Sequence, residues 1–187
     1  MNLQDLSEEN NIVIDMISNV WRDWMTPDVY EQFRKKSFYD NLASTHPKAT
    51  DELKRKMEGT RIIAMNLQSC YFFNFYLFSE LGDELHELDW LEKTFREMEI
   101  KGEKAIVIAH IPPGAEDCME SFSRRYQALA DRFQNVIRTS LFGHIHTEFF
   151  NIHRAIKSGK AINQDIISGS ATTFTNQNPS FRVLKLD

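Results

Sequence analysis

Two short runs of this 187-residue chain place histidine where a strand would end. The first is Val107-Ile108-Ala109-His110-Ile111-Pro112-Pro113-Gly114. The second is Ser140-Leu141-Phe142-Gly143-His144-Ile145-His146. Neutral imidazole is the commonest protein metal ligand, and zinc accepts it at about 2.0–2.1 Å. In open α/β sheets, ligands collect beyond the carboxyl ends of the strands. Pro112-Pro113-Gly114 turns and stiffens the chain directly after His110. Gly143 removes a side chain beside His144, so backbone or ligand can come close. In His144-Ile145-His146 the two rings would share a face in a strand; in a loop they can serve two neighbouring ions. A strand-end histidine is also a common polar cap, and spacing alone leaves that alternative open. His46, His86 and His153 lack such a context and read as surface or strand histidines.

Strands and helices are needed to place these residues. Val13, Met16, Ile17, Val20, Trp21 and Trp24 recur at helical spacing and predict an amphipathic packing helix, with Ser7 as its N-cap. Thr26-Pro27 opens a second helix to about Lys36. The charged stretch Lys48–Gly59 reads as a weakly helical, solvated excursion. From Arg61 onward strands and helices alternate. Strands are predicted at Arg61–Asn66, Lys104–Ala109, Asn135–Phe142, Glu148–Arg154, Ala161–Ile167 and Phe181–Leu186. Leu81, Leu85, Leu88, Leu91, Phe95 and Met98 predict a helix ending near Lys101-Gly102. A further helix is predicted from Met119 to Phe133. Cys70 through Tyr76 reads as loop plus core strand, with a membrane-leaning aromatic lip as the alternative. The pattern is that of an α/β layered domain.

Composition narrows the classes. With 42% hydrophobic residues, 7 Gly and 5 Pro, the chain is neither disordered nor fibrous. A net charge of −5 provides no basic footprint for nucleic acid. The most apolar run, Cys70–Phe78, is far too short to span a bilayer. The first residues lack the pattern of a signal peptide. Two cysteines, Cys70 and Cys118, allow one bridge or two free thiols, and counted alone they lean toward the cytosol.

The motifs Ala109-His110-Ile111-Pro112-Pro113-Gly114 and Gly143-His144-Ile145-His146, in that order, resemble the carboxyl-terminal half of calcineurin-like metallophosphoesterases. Within that superfamily the chain resembles the acid sphingomyelinase group. The narrower match rests on four stretches: Asn66-Leu67-Gln68-Ser69-Cys70 with Asn74-Phe75; Leu88-Asp89-Trp90-Leu91; Ser170-Ala171-Thr172-Thr173-Phe174; and Asn178-Pro179-Ser180-Phe181-Arg182-Val183. The resemblance implies a layered α/β/β/α sandwich, with residues 1–187 as a partial domain: its carboxyl-terminal half plus two added N-terminal helices. The superfamily's Asp-x-His, Gly-Asp and Gly-Asn-His motifs find no match here, so the N-terminal metal-binding half is expected to be missing.

The same resemblance implies a metal-dependent phosphoric ester hydrolase, sphingomyelin phosphodiesterase-like in its complete form and inactive as this chain alone. Two divalent ions, zinc in the sphingomyelinase group, are the implied cofactors. His110 and His144 match ligands of one ion and His146 a ligand of the other. Phe174 matches an aromatic at the mouth of the site, where its face can hold a choline headgroup. No residue matches a general acid. Cys70 and Cys118 match a disulfide, which moves the expected compartment to secreted or lysosomal. The implied partner is a phospholipid or other phosphodiester, with peripheral membrane contact and no transmembrane segment. Alternatives are a general metallophosphatase, a nucleotide phosphodiesterase, or a non-catalytic remnant that acts as a binding module.

Overall fold

The computed structural model describes residues 11–78 and 85–185. Ser7 and Leu81 lie outside the described residues. Helix α1 (Ile12–Trp21) is capped by Asn11, whose side chain accepts from Val13 N and Ile14 N. Helix α2 (Pro27–Lys36) follows Thr26, whose hydroxyl accepts from Val29 N, with Pro27 in the first turn as expected. Strand β1 (Tyr39–Leu42), short helix α3 (Asp51–Lys56) and strand β2 (Thr60–Ala64) come next. Helix α4 (Glu87–Lys101) ends at Gly102, whose φ of 71° is the left-handed geometry that glycine tolerates best. Strand β3 (Lys104–Ile108), helix α5 (Glu120–Arg132) and strands β4 (Ile137–Phe142), β5 (Phe149–Arg154) and β6 (Ala161–Ile167) complete the order.

All six strands form one sheet in the order β1-β2-β3-β4-β6-β5. The middle is parallel: β2 with β3, β3 with β4, and β4 with β6. Both edges, β1 and β5, run antiparallel to their neighbours. The carboxyl ends of β3 and β4 therefore lie side by side. This is an α/β fold. The described residues form a single sheet, so the second sheet of the expected four-layer sandwich is not among them.

Helices α4 and α5 cover one sheet face. They are joined by ion pairs from Arg125 to Asp89 and from Arg132 to Glu99. Leu88, Leu91, Phe95 and Met98 of α4 and Phe122, Tyr126 and Ala130 of α5 meet Ile63, Ala105, Val107, Ile137, Phe142 and Ile167 of the strands. Their spacing of three and four on the helices, against two on the strands, is what makes one face of each apolar. A polar contact pins the far edge under α5. His153 of β5 faces Asp165 of β6 at 2.6 Å and Gln127 of α5 at 2.6 Å. So His153 is a strand histidine, but one bonded on both nitrogens.

Three expectations need correction. The apolar stripe of α1 and the turn after it is mostly uncovered: Val13, Met16, Val20, Trp21 and Trp24 are exposed, Ile17 is half-buried, Trp21 still meets Phe33 of α2 at 5.7 Å between centroids, and the one buried α1 residue is Ser18. Ser18 manages this by donating its hydroxyl to Ile14 O. No strand forms over residues 181–185. That segment is held by an Arg182–Glu148 ion pair and by Ser180 N donating to Ser170 O, not by a ladder. The stretch after Cys70 forms turns rather than a core strand, leaving Phe72, Phe73 and Phe75 exposed.

Phe95 is fully buried against Phe133, ring centroids 5.5 Å apart. Phe95→Ala is expected to lower the unfolding free energy by about 3–5 kcal/mol through lost transfer energy and a cavity. Ile100→Ala, on the same helix but 86% exposed, is expected to change it by less than about 0.5 kcal/mol. Urea denaturation of both variants checks the contrast.

Candidate functional site

The β3–β4 pairing continues past the ends of both strands. Ala109 N donates to Leu141 O at 3.1 Å, and Gly143 N donates to His110 O at 2.9 Å. These two bonds bring the histidines of the two motifs together. His110 Nε2 lies 3.2 Å from His144 Nδ1, and the rings meet edge-to-face with centroids 5.0 Å apart. Gly143 leaves the space the sequence implied, though not to its limit. A Cβ there would meet His110 Nδ1 at 3.5 Å, an ordinary contact.

After β4 the chain bends sharply. Ile145 N donates back to Gly143 O, and both His144 (φ 71°) and His146 (φ 65°) take left-handed backbone. That conformation is uncommon for any residue but glycine, and it clusters where function constrains a loop. His144 and His146 thus sit in a loop and not on one face of a strand. His146 turns its ring edge toward Phe174, centroids 5.5 Å apart, and its Nδ1 is buried with no hydrogen-bond partner. Phe174 itself is exposed, in a single 3-10 turn.

A third group reaches the pair. Asp117 Oδ2 lies 2.5 Å from His144 Nε2. Nothing in the spacing of the sequence marked this residue, because it depends on a loop closing over a long distance. Cys118, its neighbour, is disulfide-bonded to Cys70, with Cα atoms 4.8 Å apart and a sequence separation of 48. In a chain-entropy description, closing a loop of that length stabilises the fold by about 4 kcal/mol. Backbone bonds flank the bridge: Phe72 N donates to Asp117 O at 2.9 Å, and Met119 N donates to Cys70 O at 2.7 Å. Tyr71, between them, stands edge-on to the His144 ring at 5.8 Å. An open groove of about 760 Å³ runs beside His144, lined among others by Phe72, Phe73, Phe149, Glu116 and Asp117.

Two nitrogens bound at about 2.0–2.1 Å to one tetrahedral ion lie about 3.3–3.4 Å apart. The His110–His144 spacing suits such an ion. Among the described residues, however, no group of three or more His, Cys, Asp or Glu side chains is arranged to hold a metal. The pair offers part of a coordination sphere. Partial burial pushes the His110 pKa down from its ordinary 6.5; the neighbouring His144 and His146 add to this and Asp117 opposes it. The ring therefore favours its neutral form, with Nε2 facing His144 Nδ1.

A parallel α/β core carrying paired imidazoles beyond adjacent strand ends has them where open α/β sheets collect their ligands. Known proteins include relatives of the chain. The chain is 35% identical over 136 residues to sphingomyelin phosphodiesterase 1 of Caenorhabditis elegans, covering 70% of this chain and 24% of that one. It is 28% identical to sphingomyelin phosphodiesterase of Homo sapiens over 174 residues, 92% of this chain and 25% of that one. It is 25% identical over 188 residues to human cyclic GMP-AMP phosphodiesterase SMPDL3A, 94% of this chain and 39% of that one. No family model matches. Over most of its length the chain is thus homologous to phosphodiesterases. It spans about a quarter of the length of the sphingomyelin phosphodiesterases it matches.

His110 is expected to titrate below 6.5, measured by NMR of the imidazole protons. The sign for stability follows. The folded chain binds this proton less readily than the unfolded one, so the contribution is present above the unfolded value. It is lost as pH falls through the lower folded value. Comparing wild type with His110→Gln in denaturant titrations across that window checks it: the variant is expected to show a shallower decline.

Proposed function

We propose that this chain carries the histidine half of an acid sphingomyelinase-like metallophosphoesterase site. The reaction is metal-dependent hydrolysis of a phosphodiester. The observation that carries the reading is the 3.2 Å approach of His110 Nε2 and His144 Nδ1, in a chain similar throughout to phosphodiesterases. His110 and His144 would hold one zinc ion, and His146, whose Nδ1 is buried without a partner, a second. Zinc at such a site supplies Lewis acidity toward a phosphoryl oxygen and lowers the pKa of water.

The chain's own residues supply the rest. His110 stays neutral and therefore able to donate its lone pair. The left-handed turn at His144 and His146 aims two rings from one short loop. Phe174, exposed beside His146, offers a π-face at the mouth. A choline headgroup would gain about 0.5–2 kcal/mol from cation–π attraction there. Phe72, Phe73 and Phe75 form an exposed aromatic lip suited to peripheral contact with a lipid surface. No helix among the described residues is long and apolar enough to cross a membrane. The substrate class is a phosphodiester such as sphingomyelin or a cyclic dinucleotide, the compounds named in the relatives. The Cys70–Cys118 bridge supports an oxidising compartment, secreted or lysosomal.

A second reading is a non-catalytic binding module. It is favoured by the absence, among the described residues, of a three-ligand metal set. One experiment separates the two. The purified 187-residue chain is expected to take up zinc through the histidine pair and to lose that binding in His144→Ala, read by competition with a chromogenic chelator. It is expected to show no useful turnover of bis(p-nitrophenyl) phosphate, because among the described residues no carboxylate joins the histidines in a set that could hold two ions. Zinc-dependent turnover abolished in His144→Ala would show that this chain suffices for catalysis. No zinc uptake at all would leave the binding-module reading.

A further inference from the structure

We propose that Asp117 is a positioning residue that fixes which nitrogen of His144 is left bare, a role that rests on the metal reading above. A carboxylate facing an imidazole nitrogen at 2.5 Å accepts a hydrogen bond, so His144 Nε2 must carry the proton. The neutral ring then has its lone pair on Nδ1, and Nδ1 is the atom that faces His110 Nε2. Were the proton on Nδ1 instead, it would point at His110 and close the space between the rings to a cation. The carboxylate therefore selects the one tautomer in which His144 can share an ion with His110. Ligating histidines are commonly oriented in this way, by a carboxylate on the nitrogen that does not bind metal.

The structure keeps Asp117 from moving off. Cys118, next in the chain, is covalently bound to Cys70, and residues 70–72 and 117–119 are paired by two backbone hydrogen bonds. The Asp117 and His144 side chains are 23% and 18% exposed, which limits competition from water. Tyr71, carried on the same paired segment, braces the ring edge-on. The disulfide thus has a use besides global stability: it anchors the carboxylate that orients a ligand.

The test is nitrogen-15 NMR of the full chain without metal, with zinc affinity measured in parallel. Wild type is expected to show His144 with a protonated Nε2 and a bare Nδ1. Asp117→Asn and Asp117→Ala are expected to lose that pattern and to weaken zinc binding by about 10- to 100-fold, with Tm retained as the check on folding. Reduction of the disulfide is expected to shift the His144 signals in the same direction. An Nδ1-protonated His144 in wild type, or an unchanged tautomer and affinity in folded Asp117→Ala, would overturn the proposal. Wild type that has the Nε2-protonated ring but binds no zinc would instead overturn the metal reading, and with it the purpose given to Asp117, by a separate signal.

Discussion

The site depends on two backbone hydrogen bonds made after the strands have ended. Parallel strands β3 and β4 would ordinarily part at Ile108 and Phe142, and loops would carry their histidines in different directions. Instead Ala109 pairs with Leu141, and His110 with Gly143. That extra pairing sets the distance between the imidazoles. Ile111, Pro112 and Pro113, buried under the turn, hold the chain in that course directly after His110. Everything else near the site, including the disulfide and the bent His144–His146 loop, is fitted around that fixed pair.

Much of this was legible in the chain because core strands and helices announce themselves by period. Lys104–Ile108 is a nearly continuous apolar run, as a strand covered on both faces is, whereas Ile137–Phe142 carries Arg138, Thr139 and Ser140 between its apolar ends. The α4 stripe ends at a glycine of the right geometry. What escaped the reading was governed by contacts between distant parts of the chain. Strand β1 is polar, Tyr39-Asp40-Asn41-Leu42, because it is an edge; it is held by Asp40 pairing with Arg61 rather than by an apolar pattern. The α1 stripe has the period of a packed helix, yet period records only that one face is apolar and not that something covers it.

The site shows the same division. His110, His144 and His146 could be picked out because each follows a recognisable strand. Asp117 could not. Its place beside His144 is fixed by Cys70, 48 residues from Cys118, and by pairing between two loops of no regular structure. Carboxylates in such turns are usually solvated, and only coordinates reveal the one that is not.

The order of the strands also bears on how the sheet is assembled. β6 inserts between β4 and β5, although β5 precedes it in the chain. The β5–β6 turn spans only a few residues, so that hairpin closes at little entropic cost. Docking it onto β4 makes the β4–β6 contact and fills the slot beside Phe142 in one step. The hairpin's contacts are local in sequence, so it is a unit able to form by itself before it pairs with β4. His153 already faces Asp165 Oδ2 within it, while Asp165 Oδ1 stays buried without a hydrogen-bond partner, so this edge closes with one polar atom matched and one not.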